Sequence, residues 1–314
     1  MKKISIIDTS ISDYNLGNQI IMDGVYKQLF SIFPKDFFFK LPYAEITPHT
    51  LSYINRSEFS IVGGANLLNG HLERYRDLDI NLLKSFKLRN IILMGVGWWQ
   101  YESNISLYSR FLLKQLLKND FIHSVRDSYT QKKLESIGIL NVINTGCPSI
   151  WNLNSDHCSG IPSGKTETVI FTITDYHFNH KKTQKIVDAL SKNYENIFFW
   201  PQGEGDYELI SPYLKEINVK MINPNLESYN QFLRQNDTDY VGTRLHAGIR
   251  ALQHKKRTII IGIDNRAIEM QTDFGLPVIP EKELDNLDDL IKSKWVVDIR
   301  LRLKEIDIWK KQFH

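Results

Sequence analysis

The feature that most restricts this chain is a series of short apolar runs, most of them closing on glycine, arginine or aspartate. Ile4–Ile7 closes on Asp8, Phe59–Val62 on Gly63-Gly64, and Asn90–Met94 on Gly95-Val96-Gly97. Phe121–Val125 closes on Arg126-Asp127 and Val142–Thr145 on Gly146. The pattern resumes with Val169–Ile173, Ile197–Trp200, Tyr240-Val241 before Gly242, and Thr258–Ile261 before Gly262-Ile263-Asp264. Strands without apolar–polar alternation are buried on both faces, as in parallel sheets. Amphipathic stretches separate them. Gly17–Phe33 places Ile20, Ile21, Val25, Leu29 and Ile32 near helical spacing. Helices are also expected over His180–Asn193, Tyr229–Arg234, from about Leu245 to Leu252, over Glu283–Ser293 and over Asp298–Lys311. Strand–helix alternation predicts a doubly wound α/β fold, whose ligands bind beyond the carboxyl ends of the strands.

With 314 residues the chain has room for two such domains. Residues 152–166 are polar and rich in turn formers, which predicts a linker. The expected domains are therefore residues 1–155 and 156–314, with the last helix packing back on the first. The net charge of +3, from 39 basic and 36 acidic residues, is too weak to imply nucleic acid, which usually needs a concentrated basic patch. His254-Lys255-Lys256-Arg257 reads as a solvated loop or as an anion patch. The two cysteines, Cys147 and Cys158, form no CxxC pair and no zinc spacing with histidine. They fit a reducing compartment, with no metal and no cofactor expected. No apolar run approaches the ~18 residues of a membrane span. A cytoplasmic protein is expected, one that could work at the inner face of the membrane through its substrate.

The candidate chemistry lies where the strands end. Asn15 and Asn18 flank Gly17 after the first strand and form either a capped turn or a ligand-facing loop. Gly63, Gly64 and Asn66 allow either a tight turn or a close approach of backbone to ligand. Arg126 must find an anion, because an unpaired buried guanidinium is costly. That anion is a ligand or a carboxylate such as Asp127. Gly242-Thr243-Arg244-Leu245-His246 carries the most information. A strand ends at Gly242 and a helix starts near Leu245, so Arg244 sits where cation and helix dipole repel, unless an anion lies between them. His246 follows as a candidate general acid or base. Trp98 and Trp99 could stack on a sugar or fill a core. Gln202 follows another strand end, with Asp206 close behind. Asp175 and Asp264 are candidates for hydroxyl activation.

In this order the segments Asn15-Leu16-Gly17-Asn18, Gly63-Gly64-Ala65-Asn66-Leu67-Leu68, Ser124-Val125-Arg126-Asp127, Thr145-Gly146-Cys147-Pro148-Ser149 and Gly242-Thr243-Arg244-Leu245-His246-Ala247 resemble the polysaccharide pyruvyl transferases. The resemblance runs from about residue 13 to 265. It implies a glycosyltransferase-B-like fold, two Rossmann-like domains facing across a cleft. It also implies phosphoenolpyruvate as donor and co-substrate, and a sugar bearing a pyruvate ketal as product. By resemblance Arg126 and Arg244 hold the donor's phosphate and carboxylate, with Gly242 and Leu245 beside them, and His246 is catalytic. The acceptor, lipid-linked or nucleotide-linked, would belong to capsule, lipopolysaccharide or cell-wall polymer synthesis. Asn15, Asn18, Gly63, Gly64, Asn66, Trp98, Trp99 and Gln202 are assigned to the acceptor or cleft.

Two other classes remain open on the sequence. A nucleotide-sugar glycosyltransferase of the same fold would need an acid for the ribose, and Glu269 after Asp264 could serve. A non-catalytic glycan-binding protein would leave Arg126, Arg244 and His246 dispersed.

Overall fold

A computed structural model describes residues 1–214 and 218–313. The chain divides into two compact units. The first comprises Met1–Asp13, Ile21–Trp151 and Leu301–His314, the second Tyr14–Ile20 and Asn152–Arg300.

The first unit contains β1 (Lys3–Asp8), β2 (Phe37–Pro42), β3 (Phe59–Gly63), β4 (Ile91–Met94), β5 (His123–Val125) and β6 (Val142–Asn144). The first four form a parallel sheet ordered β2-β1-β3-β4, and β5 pairs with β6 in parallel. A parallel bridge between Val96 and Val125 continues the array. Every residue of β3 and β4 is buried, which is why these strands show no alternation. The edge strand β2 is half-exposed. The C-terminal helix Leu303–Lys311 belongs to this unit. Trp309 is fully buried and meets Trp151 edge-on, and Phe313 packs on Phe33, Phe59 and Phe121.

The second unit contains β7 (Thr168–Thr172), β8 (Asn196–Phe199), β9 (Val219–Met221), β10 (Asp239–Gly242), β11 (Thr258–Gly262) and β12 (Val278–Pro280). All are parallel, in the order β12-β11-β10-β7-β8-β9. Counted from β7 and read from the β9 edge, this is the 3-2-1-4-5-6 order of dinucleotide-binding folds. The chain runs outward from β7 to β9, then restarts at β10 on the other side of β7. That reversal opens a crevice beyond the carboxyl ends of β7 and β10.

The structure corrects several local expectations. The helix expected over Asp298–Lys311 covers only Leu303–Lys311. Before it, backbone amides pair tertiarily instead, Trp295 donating to Ser163 and Arg300 to Phe274. Glu283–Ser293 is a 3₁₀ turn, Glu281–Asn286, followed by the helix Leu287–Lys292. The expected linker holds a short helix, Ser155–Ser159, capped by Asn154, and His157 of that helix bonds the Leu252 carbonyl at 2.8 Å. It is packed structure, not a tether. Arg257 of the basic stretch is likewise not solvated. It is buried, pairs with Asp239 at 2.8 Å and donates to the carbonyls of Leu290, Ile291 and Ser293. A cation at those carbonyls closes the end of helix Leu287–Lys292. Both cysteines are buried free thiols, and burial pushes Cys147 upward, away from thiolate chemistry. Among the described residues no helix is long and apolar enough to cross a membrane. Nor do three or more His, Cys, Asp or Glu among them gather in a way that could hold a metal.

Candidate functional site

The best-formed site lies at the carboxyl edge of the second sheet, and hydrogen bonds between neighbouring strand ends build it. A Cβ on Gly242 would stand 2.5 Å from Thr172 Oγ1 and 2.6 Å from the Thr172 carbonyl oxygen, so only glycine lets β10 close on β7 here. Thr243 N–H donates to the Thr172 carbonyl at 3.1 Å, and Thr174 N–H donates to Thr243 Oγ1 at 2.8 Å. Tyr240, fully buried, donates its hydroxyl to the Arg244 carbonyl at 2.8 Å. Helix Leu245–Gln253 therefore starts at a fixed point. Its N-cap residue is Arg244, extended and without a side-chain cap. The first-turn amides get no acceptor from their own cap residue, and the positive end of the helix lies at the carboxyl edge of the sheet.

Arg244 is 3% exposed, and anions do surround it, as its position demands. Its Nε donates to Asp206 Oδ2 at 3.1 Å, its Nη2 also contacts Asp206 Oδ1, and Nη2 reaches Asp175 Oδ1 at 2.9 Å. Burial works against the Arg244 cation, but Asp206 outweighs it and raises the guanidinium further. Burial also pushes the Asp206 carboxyl up, and Arg244 opposes this. We take Asp206 as ionised. Besides Arg244 it accepts the amides of Gln202 at 3.0 Å, Gly203 at 2.8 Å and Asp175 at 3.2 Å, all donors, so a protonated carboxyl would have no acceptor there. A Cβ on Gly203 would lie 2.1 Å from Arg244 Nη2, so the guanidinium rests on bare backbone.

The other residues of this edge take clear places. His246 is 5% exposed in the first turn of the helix, and Leu245 is buried beside it. Gln202 is buried and donates through Nε2 to Asn15 Oδ1 at 2.9 Å, while its carbonyl accepts Leu16 N–H at 2.9 Å. Asn15 Oδ1 also accepts Gly17 N–H at 3.0 Å, and Asn18 N–H donates to the Asn15 carbonyl at 3.0 Å. The Asn15–Asn18 segment forms a capped turn in contact with Gln202. Asp264 caps helix Asn265–Phe274 and pairs with Arg266, so it is not a loose base.

In the first unit the candidate residues have partners within the unit. Arg126 is 1% exposed. Its Nε and Nη2 donate to Asp127 Oδ2 at 3.1 and 3.0 Å, and its Nη1 to Asn66 Oδ1. Asp127 also caps helix Ser128–Ser136 through Thr130 N–H at 2.7 Å. The fork expected for donor phosphate has a carboxylate and an amide of its own unit as partners in this structure. Gly63 and Gly64 answer to packing. A Cβ on Gly64, at φ 57°, would strike Ile21 Cγ2 at 2.0 Å, and one on Gly63 would meet Met22 Sδ at 2.8 Å. Trp98 is fully buried with its indole N–H on Glu102 at 2.5 Å, so it belongs to the core. Trp99 is 37% exposed beside Tyr75 and remains able to stack on a ligand.

Sequence reading passed over Tyr176 and Arg266. The Arg244 and Arg266 guanidinium carbons lie 5.1 and 5.3 Å from the Tyr176 ring centre, and Arg266 Nη2 also contacts the Tyr176 hydroxyl. A small pocket adjoins the site, lined by Thr174, Lys182, Thr243 and Glu281 over Ile173, Ile186 and Ile261. The one available signal for Arg266 was its position two residues after a strand-end Asp.

Two doubly wound parallel units, with a cation and a helix N-terminus at the reversal of the second sheet, define a glycosyltransferase-B-like protein. Solved structures agree in fold. The UDP-GlcNAc 2-epimerase of Methanocaldococcus jannaschii is similar with a TM-score of 0.55 at 9% identity, covering 99% of this chain and 100% of that one. The UDP-N-acetylglucosamine 2-epimerase of Rickettsia bellii is similar with a TM-score of 0.51 at 12% identity, covering 94% and 89%. No curated protein sequence matches the chain. The model of the polysaccharide pyruvyl transferase family matches residues 15–265, and the chain belongs to that family.

Proposed function

We propose that the protein transfers the pyruvyl group of phosphoenolpyruvate to a sugar of a polysaccharide or its precursor, as a ketal. The observation that carries the reading is Arg244 at the uncapped start of helix Leu245–Gln253, at the sheet reversal, with His246 in the first turn. Cation and helix amides together suit a small donor carrying phosphate and carboxylate. In the reaction, the donor's methylene carbon takes a proton, for which His246 is the candidate acid. A sugar hydroxyl adds to the neighbouring carbon and loses its proton. A second hydroxyl of the same sugar then displaces phosphate and closes the ring. Positive charge from Arg244 and the helix start stabilises the departing phosphate. The exposed Trp99 is a candidate platform for the sugar.

Incubation with phosphoenolpyruvate and a lipid-linked or nitrophenyl sugar is expected to release inorganic phosphate and yield a ketal visible by mass. His246→Ala is expected to keep the far-ultraviolet circular dichroism of the native chain and lose about 10²-fold or more in turnover. Turnover of nucleotide sugars with no phosphate released from phosphoenolpyruvate would favour a glycosyltransferase instead. Unchanged turnover in His246→Ala would remove the histidine from the chemistry.

A further inference from the structure

We infer that the two carboxylates on Arg244 have different jobs: Asp206 is a permanent positioning residue, and Asp175 is a placeholder that an anionic donor displaces. The inference rests on the functional reading above only in taking the donor to be anionic.

The guanidinium has two edges on which a carboxylate or phosphate can sit. Asp206 takes the side edge, Nε with Nη2. This leaves the end edge, Nη1 with Nη2. Asp175 reaches only Nη2 of that edge, and Nη1 has no partner among the described residues. The end edge is half used, by one oxygen of one carboxylate.

Burial separates the two acids. Asp206 is 0% exposed and accepts three backbone amides in addition to Arg244. Withdrawing it would strand those donors and leave a buried guanidinium unpaired. Asp175 is 40% exposed, and its carboxylate can turn into water at small cost. A Cβ on Gly205 would lie 3.0 Å from Asp175 Oδ2, so this carboxylate rests on a glycine as the guanidinium does on Gly203.

Charge gives the direction. Arg244 with Asp206 is neutral, and Asp175 makes the group net negative. A phosphate or carboxylate arriving at the end edge would face a like charge unless Asp175 leaves. Asp175 holds Nη2 of the fork in place while the site is empty. It competes with the donor for the same nitrogen, and so sets donor affinity without touching the reacting atoms.

The test is equilibrium titration of phosphoenolpyruvate, and in parallel UDP, into the full chain, Asp175→Asn and Asp206→Asn, with kcat and KM measured alongside. Asp175→Asn is expected to bind donor about fivefold more tightly, the size of a partly exposed charge interaction. Asp206→Asn is expected to bind it at least about tenfold more weakly, with the larger effect in KM. If Asp206→Asn fails to fold by circular dichroism, Asp175→Asn decides alone. Unchanged or weaker binding in Asp175→Asn overturns the inference, and so does a loss confined to kcat, which would make Asp175 a base. If UDP follows the expected order and phosphoenolpyruvate does not bind at all, the inference stands and the pyruvyl-transfer reading falls. If neither anion binds the native chain or Asp175→Asn, the inference falls.

Discussion

Arg126 and Arg244 read alike along the chain, each just beyond a buried strand and just before a helix. Their surroundings separate them. Arg126 spends its fork on Asp127 and Asn66, both of its own unit. Arg244 shares Nη2 with the partly exposed Asp175, and its Nη1 has no partner among the described residues. Arg126→Ala is therefore expected to act mainly on stability. It strands the buried Asp127 carboxylate, a loss of about 3–5 kcal/mol in urea unfolding. A variant of native stability that binds phosphoenolpyruvate more weakly would return Arg126 to the donor site.

At the scale of elements, the helix after β10 shows packing overriding propensity. Gly248 lies in its interior, where alanine normally gains up to about 1 kcal/mol. Here a Cβ would stand 2.5 Å from Ile260 Cγ1 and 3.0 Å from Tyr240 Cε1. Both residues are fully buried in strands and have little room to yield. Gly248→Ala is expected to lose about 1–3 kcal/mol and to weaken donor binding by shifting the helix start, measured by urea unfolding and donor titration. A gain in stability would show that the helix sits further from the sheet. The same logic explains Arg257, whose charge closes a helix end that loop chemistry leaves open.

For the molecule as a whole, stability carries a pH signature from His123 in β5. The ring is fully buried, Nδ1 accepting Leu93 N–H and Nε2 facing the Leu117 carbonyl at 3.1 Å, which assigns the neutral tautomer. Burial lowers its pKa to about 4. The unfolded chain protonates this ring near pH 6.5 while the native chain does not. The contribution of this group is therefore fully present above about 6.5 and is lost as pH drops toward 4, by about 3 kcal/mol in all. His123→Gln is expected to reduce the urea midpoint's pH dependence between 6.5 and 4, leaving the share of His254, whose pKa burial also lowers to about 4. An unaltered slope would place the acid sensitivity elsewhere.

Periodicity alone determined the class of fold, because strands buried on both faces and alternating with helices have few ways to pack. His180–Asn193 was legible to the residue. Among the helices not read from the sequence, Pro48–Arg56 and Leu107–Leu116 carry side-chain caps at Thr47 and Ser106 that signal them. The strand-end segments were legible as a family pattern. Their division into packing and chemistry was not. Gly64, Trp98 and Arg126 read in sequence as packed or functional, and the structure gives each partners within its own unit, while Asp206 becomes the anchor of Arg244 from 38 positions away. A sequence displays which side chains need a partner. Only the order of strands in a sheet decides which partner arrives, since that order brings distant residues to one edge.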